Sequence, residues 1–474
     1  MGDRTILTLS APKLDDQISR ETFKYEFVVP NDLPLAPVEI VGIGSFSTVC
    51  RSVVNIAGVQ QACFAIKKLE GALRPLVVSN GAEGLAVDNS NASDSRTAMR
   101  GPDDREQKEQ RLRDIVRVAR EILILQTLSH PFVLKANRVW THSFDVYLAT
   151  PLLESDLGAV LDRNRRHQTL LSVRHVQYIT FQLFSGLKYL HEEIGLVHRD
   201  LCPRNILIGD KCNILIADFG LARFVSRKSG SDGVRPSEVG SNRFAAPEVL
   251  LKLKSASHYS ADLWAAGCIL GELLQGGEPL FPDAGSVAGL VGGYGRMLGR
   301  PSEQVLEKFG DVLGARNTMS HATCDGLPAI KGIVTTYFQR VALQEGVCGQ
   351  QKTLKNENAV GARVDVDPRT TQREDFQQIL LGLVNYDFDS RLKASAVCCN
   401  FPSLRTLSTD WKLGAKLHQA KRSNDSEQRA RLQDKMKMEV KVRKLSQKHD
   451  YLAAFDLVKN TILDQVELLP ARIP

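Results

Sequence analysis

Three short motifs in a fixed order constrain this 474-residue chain more than any other feature. They are "VHRDLCPRNILI" over 197–208, "ADFGLA" over 217–222 and "AAPEVL" over 245–250. Asp200 and Asp218 are 18 residues apart, and Glu248 follows Asp218 by 30. Single carboxylates of this kind can simply cap loops, because Asp hydrogen-bonds readily to nearby backbone. Their joint order and spacing favour a site that they build together.

A glycine-containing segment and an isolated lysine precede these motifs. "VGIGSFSTV" over 41–49 places two glycines between strand-like runs, where backbone amides can approach phosphate oxygens, although such a pattern alone is more typical of a hairpin turn. "FAIKKL" then places Lys67 in an apolar strand, where an inward-facing lysine needs a charged partner. Glu121, on an amphipathic helix predicted within 111–128, is the candidate partner. The alternatives are an edge-strand lysine and an exposed helix carboxylate.

Composition narrows the class of protein. With 43% hydrophobic and 24% charged residues, the chain is a folded globular protein with more than one lobe. Most of its net charge of +7 comes from 421–448, which has ten Lys/Arg against four Asp/Glu, so we expect no nucleic-acid-binding surface. Nine scattered cysteines without paired spacing indicate a reducing compartment. Without a long apolar run or a signal peptide, we expect a cytoplasmic or nuclear protein without a membrane span.

Over about 38–405 the sequence resembles the eukaryotic protein kinases, through the Gly-rich loop, the strand lysine, and the H-R-D, D-F-G and A-P-E motifs. It is most similar to the stress-activated, osmosensing branch of the MAP kinase group, through "SFDVYLATPLLESDLGAVL", "GLKYLHEEIGLVHRDL", "CNILIADFGLAR" and "GGEPLFPDAGSVAGLVGGYGRMLGRPSEQ". This resemblance implies an α+β, bilobal protein kinase fold, with a small antiparallel sheet plus one helix and a large, mainly helical lobe. It also implies ATP and Mg²⁺ as cofactors and transfer of the γ-phosphate to Ser or Thr of protein substrates.

The resemblance also assigns roles to individual residues. Asp200 would accept the proton of the substrate hydroxyl, Asn205 and Asp218 would hold Mg²⁺, and Lys67, held by Glu121, would clamp the α- and β-phosphates. The implied ATP-binding residues are Val41, Gly42, Ile43, Gly44, Ser45, Phe46, Ser47, Thr48, Val49, Ala65, Lys67, Thr150, Leu152, Asp156 and Leu207.

The resemblance implies two further residues at the nucleotide and two with structural roles. Thr150 would guard the adenine pocket and Asp156 would reach the ribose, although a strand-end threonine and a helix N-cap are equally good interpretations. Asp262 would brace the catalytic loop, and Arg391 would pair with Glu248.

The sequence departs from the family at three positions near the chemistry. Cys202 replaces the lysine that steadies the transferring phosphoryl group, and a thiol supplies no positive charge. Arg204 could replace that lysine in part, as an arginine does in tyrosine kinases. Ala245 replaces an arginine that favours proline after the target residue, so proline direction is left open. Cys202, Ser47 in place of the third glycine of the usual phosphate loop, and the altered activation loop support a second hypothesis, a pseudokinase that acts as a nucleotide-binding scaffold.

Cys202 and the activation loop leave further alternatives open. Nearby cations could lower the pKa of Cys202 and make it redox-sensitive, although an inert buried thiol is favoured. The loop between Asp218 and Glu248 contains neither Thr nor Tyr, so it lacks the Thr-x-Tyr switch of MAP kinases. Glu238 could imitate phosphate near Arg199 and Arg223. The alternatives are a solvated Glu238 and phosphorylation of Ser237 or Ser241.

The sequence predicts four regions. These are an N-terminal extension (1–37), a small lobe (38–150) with an insertion over about 70–110, a large lobe (151–405) with an irregular insertion over about 315–368, and a basic, helical tail (406–474). For 426–468 we predict one long helix that covers a lobe or is solvated, in preference to a coiled coil. The expected partners are ATP, protein substrates and an upstream kinase or scaffold, without nucleic acid or membrane, and the chain is expected to be monomeric.

Overall fold

The computed structural model describes residues 4–12, 22–30, 35–43, 47–56, 59–74, 102–225, 242–253, 258–282, 286–309, 326–344, 368–409, 425–447 and 450–467. The chain divides into two compact units. The first contains residues 1–127, 135–152 and 430–474, and the second contains residues 128–134 and 153–429.

The first unit is built on antiparallel strands. Strands β1 (Arg4–Pro12) and β2 (Thr22–Pro30) form a hairpin. A five-stranded sheet, in the order β3-β4-β5-β7-β6, contains β3 (Leu35–Ile43), β4 (Ser47–Ile56), β5 (Val59–Leu69), β6 (Arg138–His142) and β7 (Asp145–Pro151). The small antiparallel sheet predicted for the first lobe is therefore confirmed.

Residues that the sequence assigned to an N-terminal extension contribute to the core of this unit. Phe27, Val28 and Val29 of β2 are buried, and Trp140 Nε1 donates a hydrogen bond to the Val28 carbonyl oxygen at 2.7 Å. The Trp140 ring stacks on Tyr147 with the ring centroids 5.4 Å apart. These contacts bury a large aromatic surface and tie β2 to the sheet.

Helix α1 (Pro102–Thr127) begins earlier than the sequence suggested. Residues 102–110, expected within the insertion over 70–110, are helical, while 75–101 lie outside the described residues. The segment has no apolar periodicity, but it is rich in Glu, Gln, Lys and Arg, which favour helix, and Pro suits a first helical turn.

The second unit is mainly helical, as predicted. Its α-helices are α2 (Leu157–His167), α3 (Val173–Lys188), α4 (Pro247–Leu250), α5 (His258–Leu274), α6 (Val287–Leu298), α7 (Glu303–Phe309), α8 (Gly326–Gln344), α9 (Pro368–Leu383), α10 (Ala394–Asn400) and α11 (Pro402–Arg405). A π-helical turn (Tyr189–Ile194) follows α3, and 3₁₀ turns cover Pro203–Asn205, Asn242–Phe244 and Thr406–Thr409. The short strands are β8 (Ser155–Asp156), β9 (Leu196–Val197), β10 (Ile206–Ile208), β11 (Ile214–Ile216) and β12 (Arg223–Phe224).

Helix α8 corrects the expectation of an irregular segment over 315–368. Ile330, Val334, Tyr337 and Val341 recur at helical spacing and are buried, and the Tyr337 hydroxyl donates to the Leu171 carbonyl oxygen at 2.9 Å. The glycines, cysteines and charges around this stretch concealed its period. The remainder, 310–325 and 345–367, lies outside the described residues.

The tail is helical but is not one long helix. It forms α12 (Asp425–Gln447) and α13 (Tyr451–Glu467). Asp450 Oδ1 accepts a hydrogen bond from the Ala453 amide at 3.2 Å, so Asp450 caps the second helix. Helix α13 packs against α1 and buries one face, formed by Ala454, Phe455, Val458 and Ile462. None of the helices within the described residues is long and apolar enough to cross a bilayer.

Candidate functional site

The first unit joins a strand lysine to a helix carboxylate. Lys67 lies on β5, which is hydrogen-bonded to β4 on one side and to β7 on the other, so the edge-strand alternative is wrong. Lys67 Nζ lies 2.7 Å from Glu121 Oε1 of α1. The lysine side chain is 27% exposed and the glutamate 10%. The predicted pair is present, and the lysine retains access to solvent.

Next to this pair, β5 and β7 align two further candidate residues. Ala65 is opposite Thr150 in the strand register, and the Leu152 amide donates to the Cys63 carbonyl oxygen at 3.3 Å. Thr150 is buried, whereas Ala65 and Leu152 are half-buried. Strand pairing therefore brings together residues that are 85 positions apart in the sequence.

The glycine segment is a hairpin at its base. Gly42 is paired with Val49, and Ile43 with Thr48, in the β3–β4 register. A Cβ built on Gly42 would meet the Val49 Cβ at 3.9 Å, an ordinary contact, so packing does not require glycine there. Gly44, Ser45 and Phe46 lie outside the described residues. The turn and the phosphate loop both remain compatible with this hairpin.

In the second unit, Asp262 of α5 braces the loop that carries Asp200. Asp262 Oδ2 accepts from the His198 amide at 2.8 Å and lies 2.8 Å from His191 Nε2, while Oδ1 accepts from the Arg199 amide at 2.9 Å. Burial raises the pKa of Asp262, but the hydrogen bond and charge of His191, together with His198, lower it overall. The brace holds Arg199 in the left-handed region (φ 69°), which a side-chain-bearing residue rarely adopts.

Asn205 links the two segments that carry Asp200 and Asp218. Its Nδ2 donates to the Asp200 carbonyl oxygen at 2.7 Å, and its own carbonyl oxygen accepts from the Ala217 amide at 2.9 Å. Asp218 is exposed between buried Ala217 and Phe219, with φ 60°. The structure thus brings these three predicted residues into one network of adjoining loops.

The oxygen donors in these loops suit a weakly anchored divalent cation. Among the described residues, no group of three or more His, Cys, Asp or Glu could hold a metal by itself. Mg²⁺ commonly uses only one or two protein carboxylates and completes its shell with water and substrate phosphates. The Asp218 carboxylate and the Asn205 amide oxygen fit such an ion bound together with a phosphate ligand.

Two substituted positions in the same loop have well-defined surroundings. Burial raises the pKa of the Cys202 thiol, and the charges of Asp200 and Asp218 raise it further, which agrees with the favoured inert buried thiol and is opposite to the lowered pKa that the redox-sensitive alternative requires. Arg204 is 71% exposed, and its Nη2 lies 3.3 Å from Asp162 Oδ2 on α2. The arginine therefore has a partner outside the catalytic loop.

The contacts of Asp156 and Arg391 test two further predictions from the sequence. Asp156 caps α2, because its Oδ1 accepts from the Ala159 amide at 2.9 Å, and its contact with a ribose remains a prediction. Arg391 pairs with Glu248 as expected, with Nη2 to Oε2 at 2.8 Å and both side chains fully buried. Leu207 pairs with Asp156 across β10 and β8.

The regulatory candidates are only partly described. Arg223 Nη1 donates to the Ala222 carbonyl oxygen at 2.9 Å. Glu238, Ser237 and Ser241 lie outside the described residues.

One paired carboxylate was missed from the sequence. Glu272 of α5 is 3% exposed and its Oε1 lies 3.2 Å from Arg243 Nη2, just before the A-P-E motif. Burial raises the pKa of Glu272 to about 7, although the charge of Arg243 opposes the rise. The only available signal was a lone acidic residue within the otherwise apolar stretch "LWAAGCILGELL".

Comparison with known proteins agrees with this geometry. The sequence model of the protein kinase domain family matches residues 80–303. This range contains Glu121 and the catalytic loop but begins after Lys67. Mitogen-activated protein kinase mpkC of Aspergillus niger is 36% identical over 194 residues, which cover 41% of this chain and 45% of that protein. Mitogen-activated protein kinase hog1 of Blastobotrys adeninivorans is 35% identical over 206 residues (43% and 46%). Mitogen-activated protein kinase sty1 of Schizosaccharomyces pombe is 33% identical over 204 residues (43% and 53%).

Slightly less than half of this chain, residues 80–303, is therefore similar to the protein kinase domain, a family whose members use ATP with Mg²⁺. The chain is similar to the stress-type MAP kinases and diverges from them at about two thirds of the aligned positions. The chain spans about half the length of the curated relatives it matches.

Proposed function

We propose that this chain is a MAP-kinase-like protein kinase that transfers the γ-phosphate of ATP to Ser or Thr of protein substrates. The observation that carries the proposal is the formed Lys67–Glu121 pair in one unit, together with the Asp262-braced loop in the other. Phosphoryl transfer depends on positioning and charge neutralisation more than on covalent chemistry, and these groups supply both.

Each proposed role follows from the surroundings of the residue. Lys67, oriented by Glu121 and still accessible, would neutralise α- and β-phosphate charge. Asp200 would orient the acceptor hydroxyl and take its proton, because the backbone around it is fixed by Asp262 and Asn205. Bound Mg²⁺ would supply positive charge to the phosphates, and Asn205 and Asp218 would hold it.

A specific observation also supports a second function, a nucleotide-binding scaffold with weak or no transfer. Cys202 is buried and its raised pKa keeps the thiol neutral at physiological pH, so it adds no positive charge near Asp200. Arg204, the candidate replacement for the missing lysine, is paired with Asp162. Loss of one transition-state cation of this kind typically costs about 10²–10³-fold in rate.

Single-turnover transfer from labelled ATP with Mg²⁺ distinguishes the two functions. The acceptors are a generic protein substrate and the chain itself, and the variants are Asp200→Asn and Cys202→Lys. Transfer that Asp200→Asn abolishes, and that Cys202→Lys raises, supports the kinase. Nucleotide binding measured in the same samples shows that each variant retains a formed site.

The scaffold function would replace our proposal if ATP binds normally but neither the wild type nor Cys202→Lys transfers phosphate, even after incubation with a lysate from stressed cells. Cys202→Ala is the matched control. It changes the same side chain without adding charge and should leave the rate near that of the wild type.

The remaining proposals concern the setting of this activity. We propose a cytoplasmic or nuclear monomer that meets protein substrates and an upstream kinase or scaffold. Because Thr and Tyr are absent from the activation loop, its control would pass through a carboxylate at Glu238 or through phosphorylation of Ser237 or Ser241. Mass spectrometry of the chain from stressed and unstressed cells separates these two routes.

A further inference from the structure

The tail of the chain contacts the helix that carries Glu121. Arg120 precedes Glu121 on α1, and it is 1% exposed. Its Nε lies 2.7 Å from Glu439 Oε1 of α12, whose side chain is 18% exposed. Consecutive helix residues leave the axis on different faces, so α1 presents Glu121 to Lys67 and Arg120 to the tail.

Burial of Arg120 strongly favours the formed Arg120–Glu439 ion pair. An arginine cannot lose its charge in a protein, so a buried guanidinium needs a carboxylate or several acceptors around it. Removing one member of a buried pair leaves the other charge uncompensated, which is far more costly than removing both. Loss of Glu439 would therefore favour a movement of α1 that returns Arg120 to water.

A second tether and an apolar face act on the same helix. Gln126 Nε2 donates to the Gln465 carbonyl oxygen at 3.2 Å, about 1.7 turns beyond Arg120. The buried face of α13, which includes Phe455 and Val458, packs against α1. Contacts from both tail helices thus limit how α1 can rotate or shift.

We propose that Glu439 is a positioning residue, which through Arg120 fixes α1 so that Glu121 holds Lys67. The tail then acts as a built-in clamp on the Lys67–Glu121 pair. This inference rests on the proposed kinase function for its effect on rate, but the positioning itself can be measured without any transfer.

The test compares Glu439→Gln with Asp434→Asn in the full chain. Both substitutions remove one negative charge from α12, but Asp434 is exposed and pairs with Lys437 on its own helix. We expect Glu439→Gln to lower the rate of phosphoryl transfer by roughly tenfold to a hundredfold, because small displacements of positioning groups have effects of that size. Asp434→Asn should leave the rate unchanged.

Two readouts do not depend on activity. The first is acylation of Lys67 by acetic anhydride, followed by mass spectrometry, because a lysine held as the ammonium by a carboxylate reacts slowly. The second is amide hydrogen exchange of residues 115–125. Glu439→Gln should raise both severalfold, and the exchanged pair Arg120→Glu/Glu439→Arg should restore them at least in part.

Unchanged Lys67 acylation and unchanged α1 exchange in folded Glu439→Gln would overturn the proposal. If that variant does not fold, Gln126→Ala, which removes the second tether, should raise both readouts to a smaller degree, and no change there would also overturn it. If the wild type transfers no phosphate but both readouts respond to Glu439→Gln, the positioning role stands and the proposed kinase function fails.

Discussion

Two ion pairs that both join distant segments differ in how they are placed within their units. Glu248 and Arg391 are fully buried, and Arg391 also donates to the carbonyl oxygens of Asn385 and Ser260, at 2.8 and 2.9 Å. Lys67 and Glu121 are 27% and 10% exposed. The donors and acceptors of the Glu248–Arg391 pair are hydrogen-bonded within the protein, whereas Lys67 of the other pair remains accessible to solvent.

The difference in exposure separates a structural role from a functional one. A buried and fully hydrogen-bonded pair can offer nothing to a ligand, and its removal is felt by the fold. A partly exposed cation that is fixed by one carboxylate is pre-organised to meet an anion. Three experiments test this distinction, beginning with the largest expected effect.

Arg391→Met should reduce the free energy of unfolding by about 3–5 kcal/mol, because it leaves the Glu248 carboxylate buried and unpaired. Chemical denaturation of the second unit measures the change. The double variant Glu248→Met/Arg391→Met serves as the control and should be less destabilised than the single variant. A loss of less than about 1 kcal/mol for Arg391→Met would contradict the structural role.

If the proposed function holds, Lys67→Met should lower phosphoryl transfer by about 10²–10³-fold, because the variant lacks the fixed positive charge that we propose for the nucleotide phosphates. The same variant should reduce the free energy of unfolding by only about 1 kcal/mol, since both members of the pair retain some solvent. Steady-state kinetics and urea unfolding measure the two effects. A large loss of stability with an unchanged rate of phosphoryl transfer would indicate that the Lys67–Glu121 pair is structural and not functional.

Glu272 and Arg243 form a pair of intermediate exposure, and their pH dependence sharpens the comparison. The pKa of Glu272 is about 7 in the folded chain against its ordinary 4.5, so the folded state keeps a proton that the unfolded chain releases between these values. The contribution of Glu272 to stability therefore falls as pH rises through that interval, by on the order of 3 kcal/mol.

The measurement is the unfolding free energy of the wild type and of Glu272→Gln between pH 4 and pH 8, taken as a difference so that other titrating groups cancel. The free energy of unfolding of Glu272→Gln should increase relative to that of the wild type as the pH rises. A difference that is independent of pH would show that Glu272 has the same pKa in the folded and unfolded chain, so that Arg243 fully offsets the effect of burial.

Much of the candidate site could be predicted because its residues lie in short, ordered motifs. Asp200, Asn205 and Asp218 occur within 19 consecutive residues, and Asp262 braces the backbone just before Asp200, as the resemblance implied. Lys67 was recognised because a charge in an apolar strand demands a partner. The sheet and the mainly helical second unit followed from local periodicity.

Contacts between distant segments could not be predicted in the same way. The pKa of Cys202 depends on burial and on the charge of Asp218 as well as on that of nearby Asp200, and no local pattern reports the burial or the approach of Asp218, 16 residues away. The partner of Arg204 lies 42 residues earlier, on α2. The helix over 326–344 was overlooked because its apolar positions were obscured by irregular neighbours.

By itself, the sequence determined which charges and donors are available, since motif order and residue type specify them, and from these it predicted a class of chemistry. Only the tertiary structure decided which of those charges are satisfied within the protein and which remain accessible. It also decided that the basic tail is two helices and that Glu439 meets Arg120, 319 residues away. Burial and partner choice are properties of packing between distant segments, and a linear pattern of residues does not contain them.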